Sequence, residues 1–357
     1  MLEDDVKETA AAETPQSFLE RIGKDPRLIA YSVKEFGTPL DLVDGLIVPN
    51  ELFFIRSYGP ILTTLEPDMW RLKVSGLVER ELELTLDDLK QLPQRTMTAF
   101  LECSGNSRSE FEPAAEGTKW SDSAIGNAEW RGVSLSSVLN LAGVMLCAVD
   151  VVSQGADLDD MQRGLPIDVA MGADVMLVWQ MNGADLPRPN GGPVRLLVPG
   201  WGGIASTKWI VGLEVIDHAF AGHYNRELYT LITEEEERVR PVREMPVKSV
   251  IVSPRPEDTV SRGEQSMHGY AWSGYGAIKK VEVSTDGGSN WQEARITHDG
   301  GRRSWVRFEH RWVASPGGAV LCSRATDERG LQQPKHALWN ARGYQMNAIN
   351  HIPVTIN

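Results

Sequence analysis

No histidine precedes His218, and only three cysteines, Cys103, Cys147 and Cys322, occur in a chain of 357 residues. Scattered and odd in number, these cysteines predict no disulfide framework and leave at least one thiol free. Because no second cysteine or histidine stands at ligand spacing from Cys103, zinc is set aside. No run approaches eighteen consecutive apolar residues, so no membrane span is expected. The start, Met1 to Glu13, lacks a basic n-region, an apolar h-region and a twin-arginine pair. A cytoplasmic protein is therefore expected, or a periplasmic one if a twin-arginine leader was removed. The formal charge of −13 argues against nucleic-acid or membrane-surface partners, and an anionic ligand would need a local cationic pocket. What is present, 41% hydrophobic residues over this length, suffices for two domains with sizeable cores.

The chain divides by composition. Residues 1–48 read as an N-terminal extension: a polar start, then a short helix over Pro15 to Gly37 leading into the body, with no function expected there. Residues 49–232 alternate β-rich runs (Phe53-Phe54-Ile55, Trp70 to Val74) with short helices (Leu86 to Leu92, Ser134 to Leu141), the pattern of an α+β domain. Glycine-rich loops at Cys103 to Asn106, Asn190 to Pro193 and Pro199 to Gly203 would let backbone approach a ligand closely. Residues 233–246, with four consecutive glutamates and two prolines, read as an exposed linker. Residues 247–357 hold short alternating strands, the turn Thr285-Asp286-Gly287-Gly288 and tryptophans 272, 291, 305 and 312, the pattern of an all-β immunoglobulin-like sandwich.

Cys103 ends an apolar β-like run, Phe100-Leu101-Glu102, and opens the small-residue loop Ser104-Gly105-Asn106-Ser107-Arg108. Such a loop can present the sulfur into a cavity, where Arg108 would favour the thiolate, the nucleophilic and metal-binding form. An inert buried cysteine at a strand end fits the residues equally well. A cysteine protease would need a downstream histidine beside Cys103, and no local signature recommends one.

The run Cys103-Ser104-Gly105-Asn106-Ser107-Arg108, then Trp120, then Ala124 to Gly132 resembles the molybdenum-ligand region of the sulfite oxidase family of molybdenum-pterin oxidoreductases. Further resemblances follow in order: Phe54 to Tyr58, Met181-Asn182-Gly183, Pro193-Val194-Arg195, Pro199-Gly200 and Lys208-Trp209. In the last third, Gly269 to Gly274, Asp286 to Trp291 and Trp339 to Gly343 resemble that family's dimerisation module. The resemblance spans roughly Pro49 to Asn350.

It implies a molybdopterin-binding domain of the sulfite oxidase fold, followed by an immunoglobulin-like domain through which a homodimer forms. It implies the molybdenum cofactor, with Cys103 as the protein's thiolate ligand, since a soft thiolate tunes the metal while the redox chemistry belongs to the cofactor. Implied pterin contacts are Phe54, Ile55, Arg56, Ser57, Tyr58, Asp157, Asn190, Arg195, Ser206, Thr207 and Lys208. Tyr58 and Asn190 stand where the family usually has histidine. Implied anion-pocket residues are Arg56, Arg108 and Arg342, whose guanidinium forks suit a compact oxyanion. Tyr229 is implied beside the metal and Trp120 as an aromatic wall, while Ser107 replaces an arginine common at its position.

The implied activity is oxidation of sulfite to sulfate. The chain carries no Cys-x-x-Cys-His haem attachment, so no haem is expected in it, and electrons would pass to a separate acceptor such as a cytochrome, or to oxygen. Two alternatives stand beside this. Leu196 to Gly203, with Ser104 and Ser107, also resembles sulfane dehydrogenase catalytic subunits, which act on protein-bound sulfur beside a haem partner. The other is a non-catalytic binding protein using the sandwich.

Overall fold

The computed structural model describes residues 14–232 and 240–357. Two five-stranded sheets form the body of the first part, beside a three-stranded one within residues 29–56. In one, strands Gln94–Glu102 and Ile125–Ser134 pair antiparallel from Gln94↔Val133 to Glu102↔Ile125, and Met176–Met181 lies on the other side of the second strand. The other is mixed: Leu72–Gly76 runs parallel to Ile210–Ile216, which pairs antiparallel with Asp150–Gly155. Short helices fill the gaps, stopped and started by local chemistry. Leu86–Gln91 begins with a reciprocal capping box between Thr85 and Asp88. Leu135–Ala142 is capped by Ser134 and ends at Gly143, whose φ of 74° most side chains resist.

The last third is a two-sheet sandwich. Lys248–Ser253, Gly263–Trp272, Val306–Ala314 and Arg295–Asp299 form one sheet, and Ile278–Ser284, Gly317–Asp327 and Ile352–Ile356 lead the other. Its own core holds Val281, Phe308 and Leu321. A second cluster belongs to both parts: Phe53, Phe100 and Trp130 pack with Tyr270, Trp272 and Trp305, all at most 1% exposed. Buried hydrogen bonds add direction to this apolar seam, as Tyr270 Oη donates to Val43 O at 2.9 Å and Trp305 Nε1 to Leu46 O at 2.8 Å.

Two expectations need correction. The helix expected over Pro15 to Gly37 stops at Arg21; Gly23 adopts φ 72°, Pro26 follows, and the chain continues as strands Ile29–Ser32 and Glu35–Gly37. Of the linker expected over 233–246, residues 233–239 lie outside the described residues, and the remainder is not exposed throughout. Val242 and Met245 are 1% and 2% exposed, and their amides donate to Tyr229 O and Gly200 O, both at 2.8 Å.

Candidate active site

Cys103 follows directly on the strand Gln94–Glu102, and its amide donates to Ala124 O at 2.9 Å. The loop after it is fixed from both sides. Asn106 donates to Glu102 Oε1 at 3.0 Å and accepts from the Ala124 amide at 2.9 Å, while Trp272 of the sandwich donates to Glu102 Oε2 at 2.8 Å. Ser107 turns the chain in the left-handed region, at φ 61°, and so redirects Arg108. Burial pushes the Cys103 thiol above its ordinary value, against the nearby charges of Arg56 and Arg108.

Two cavities meet at this sulfur. One, about 690 Å³ with its open mouth included, is lined by Phe54, Arg56, Ser57, Tyr58, Cys103, Asp157, Asn190, Arg195, Ser206, Thr207, Lys208 and Tyr229, among others. The second, about 650 Å³, is lined by Arg56, Tyr58, Cys103, Arg108, Trp120, Tyr229 and Arg342, joined by Glu35, Glu116, Thr118, Leu228 and Tyr344. Every side chain named from the sequence therefore reaches one cavity or both, with the exception of Ile55. Strand alternation turns Ile55 away from its neighbours Phe54 and Arg56 and buries it against Leu19, Leu28 and Phe36, so a side-chain contact with a ligand is ruled out there.

The first cavity is built for an anion. Arg195, 3% exposed, donates to the carbonyls of Asn190 and Ser206 at 2.7 Å each, and no carboxylate pairs with it among the described residues. Burial pushes it down to about 9. Lys208 bonds Ser57 Oγ and Pro189 O, and burial, with the charge of Arg195 next, holds it well below the usual lysine range. Lys24, 4% exposed, donates to Phe53 O at 3.1 Å and to Asn190 Oδ1 at 2.7 Å, and burial pushes it down to about 7. The hydrogen bonds of these cations go to neutral oxygens, and although Asp157 acts on Lys208 and Glu51 on Lys24, the excess of buried positive charge is expensive unless an anion completes it. Ser104 Oγ and Asp157 Oδ1, both lining the same cavity, lack a hydrogen-bond partner.

The second cavity combines three arginines with aromatic walls. Arg108 Nε donates to Arg342 O at 3.0 Å and Nη1 to Thr118 O at 3.1 Å, and the guanidinium lies 5.1 Å from the Tyr344 ring centroid. Gly343 makes the approach possible: a Cβ there would meet Arg108 Cγ at 2.7 Å. Arg56 lies over the Tyr58 ring at 3.7 Å. Burial works against its charge, yet Tyr229, Cys103, Tyr58 and Glu35 hold it above its usual value. Tyr229 stacks on Tyr344 at 5.3 Å, and burial holds its hydroxyl protonated far above the usual tyrosine range.

Lys24 and Glu35 lie in the extension from which no function was expected, and Tyr344 in the sandwich. No motif marks the first two. Tyr344 follows Arg342-Gly343 directly and could have been reached from them.

Among the described residues no group of three or more His, Cys, Asp or Glu could hold a metal ion, so a metal at Cys103 would lean on a bound group for most of its bonds, and the cavity beside the sulfur offers room for one. That combination fits a molybdenum-pterin centre. Comparison with known domains agrees: residues 58–224 match the oxidoreductase molybdopterin binding domain and 239–357 the Mo-co oxidoreductase dimerisation domain. The protein is thus a molybdenum-cofactor-dependent oxidoreductase. Mitochondrial sulfite oxidase of Homo sapiens is 34% identical over 99% of this chain and 70% of its own length. Sulfite oxidase of Arabidopsis thaliana is 32% identical over 85% of this chain and 86% of its own. The sulfane dehydrogenase SoxCD of Paracoccus pantotrophus superposes with a TM-score of 0.83 at 32% identity, covering 98% of this chain and 92% of that one. The chain belongs to the sulfite oxidase family.

Proposed function

We propose that the protein oxidises sulfite to sulfate at a molybdenum cofactor ligated by Cys103, passing the electrons to a separate acceptor, and that it works as a homodimer through its dimerisation domain. The observation that carries this is the position of Cys103 between a cavity whose lining holds more cations than carboxylates and a pocket faced by three arginines. When bound, the cofactor supplies the two-electron redox chemistry and the protein supplies position and charge. Cys103 would contribute its sulfur as thiolate. Arg195 and Lys208 would hold the phosphate of the pterin, with Lys24 orienting the side chain of Asn190. Arg56, Arg108 and Arg342 bind and orient the substrate oxygens, and the neutral Tyr229 hydroxyl donates a hydrogen bond beside them. Trp120 and Leu228 narrow the pocket and exclude water.

Purified protein should contain molybdenum and a pterin fluorescent after acid oxidation, and its molybdenum signal should be reduced by sulfite. Cys103→Ser should lose that reduction with folding intact; reduction that survives in this variant refutes the ligand role. The likeness to sulfane dehydrogenase favours a second reading, a catalytic subunit acting on protein-bound sulfur beside a haem partner. Steady-state turnover of free sulfite with an artificial acceptor separates the two, because the second reading requires the partner for turnover.

A further inference from the structure

The three-arginine pocket contains an acid that an anion site does not need. Glu35 stands directly across the strand pair from Arg56, with its Oε1 3.7 Å from Arg56 Nε. Thr118 Oγ1 donates to its carboxylate at 2.9 Å and Ser32 Oγ at 3.1 Å. The side chain is only 14% exposed, so its charge is fixed in place and little screened. Glu116 also lines the pocket but is exposed, and water and salt weaken its field. Three guanidinium groups against two carboxylates leave this pocket, before any cofactor charge, a single net positive charge.

We propose that Glu35 sets the charge selectivity of the pocket, favouring singly charged oxyanions such as hydrogensulfite and disfavouring dianions such as sulfate. The inference rests on the sulfite reading for its substrate and adds which charge form is taken and why product leaves. Repulsion from one fixed carboxylate scales with the charge of the ligand, so a dianion pays twice what a monoanion does at the same position. Attraction to Arg56 is reduced for both. A carboxylate that served only to hold Arg56 in place would instead release the arginine on removal and weaken the binding of both anions.

Binding of sulfate and of nitrate to the cofactor-loaded protein, measured by calorimetry in wild type and Glu35→Gln, tests this. Removing the charge should tighten sulfate roughly tenfold and nitrate roughly threefold, the logarithms standing in the ratio of the ligand charges. Glu35→Ala should give the same pattern and serves if the Gln variant does not fold; Glu35→Asp, which keeps the charge, should stay within about twofold of wild type for both anions. Equal factors for the two anions, no change in either, or the same gain in the Asp variant overturns the proposal. Sulfite turnover is assayed separately: a shifted anion ratio without sulfite turnover would sink the sulfite reading and leave charge selectivity standing, and the reverse result would do the opposite.

Discussion

Lys248→Met should be among the most destabilising single changes in this protein. Lys248, 1% exposed and contributed by the sandwich, reaches into the first part to pair with Asp122 at 2.8 Å and to bond Ser107 Oγ. Asn350 donates to Asp122 at 2.8 Å and to Glu110 at 3.2 Å, so two carboxylates share one cation. Burial works against the charge of Asp122, but Lys248 and the hydrogen bonds from Lys248 and Ser107 hold it below the usual carboxylate range. Removing one partner of a buried pair costs about 3–5 kcal/mol, and the 25% exposure of the Asp122 side chain places this case near 3 kcal/mol. The cost has a sign in pH. A carboxylate whose pKa is depressed on folding stabilises above its unfolded value and loses that contribution as pH falls through the folded one. Without the lysine the Asp122 charge is uncompensated, while Glu110, held protonated up to about 8, adds a second charge only above that pH, so the penalty should be large at pH 8 and much smaller near pH 4, where carboxylates protonate. Urea unfolding of wild type, Lys248→Met, Asp122→Asn and the double variant at both pH values measures this. The double variant should cost roughly 2 kcal/mol less than the sum of the singles. A Lys248→Met cost below about 1 kcal/mol, additivity, or no pH dependence refutes the argument. Because Ser107 stands between Cys103 and Arg108, KM for sulfite should also rise more than kcat falls.

Burial, with the charge of Asp122 next, pushes Glu110 up to about 8, so its proton stabilises the fold below the usual carboxylate range and that contribution is lost as pH rises through 8. Glu110→Gln should flatten this loss in thermal melts between pH 5 and 9. Arg195→Met leaves the carbonyls of Asn190 and Ser206 unpaired and removes a cation from the cofactor cavity; molybdenum retention after dialysis should fall by about tenfold, for ~1.5 kcal/mol of charge-assisted hydrogen bonding. Gly343→Ala places a methyl 2.7 Å from Arg108 Cγ and 2.6 Å from Ala115 Cβ at φ 59°, and should raise KM for sulfite while leaving molybdenum content unchanged. Ser104→Ala removes a buried hydroxyl that has no partner, and should stabilise cofactor-free protein by about 1 kcal/mol in urea unfolding.

What the sequence made legible, and what it hid, follows the range of the interactions. The small-residue loop after Phe100-Leu101-Glu102 allowed a sulfur facing a cavity, and the run Leu86 to Leu92 read as a short helix, because both signals are local. Lys24 and Asn190 are 166 residues apart, and Glu35 meets Thr118 across 83. No periodicity records such contacts, and Lys34-Glu35 looks like any solvated charge pair. Composition misled at 240–246, where prolines and charges suggested exposure while Val242 and Met245 turn inward.

That error matters for function, because the inward-facing segment joins the site to the sandwich. Val242 bonds the backbone of Tyr229, Trp272 holds the carboxylate beside Cys103, Lys248 fixes the turn before Arg108, and Arg342 and Tyr344 complete the pocket wall. The second domain therefore lines the candidate site and is not only a dimerisation surface. A fragment ending at residue 232 would expose Phe53, Phe100 and Trp130 to water, each worth about 1.5–3 kcal/mol for a fully buried large side chain, and would lose two walls of the three-arginine pocket. It should fail to give the cooperative thermal transition of the full chain, measured by circular dichroism. A fragment that melts cooperatively and still binds nitrate would show that the pocket is assembled by the first domain alone.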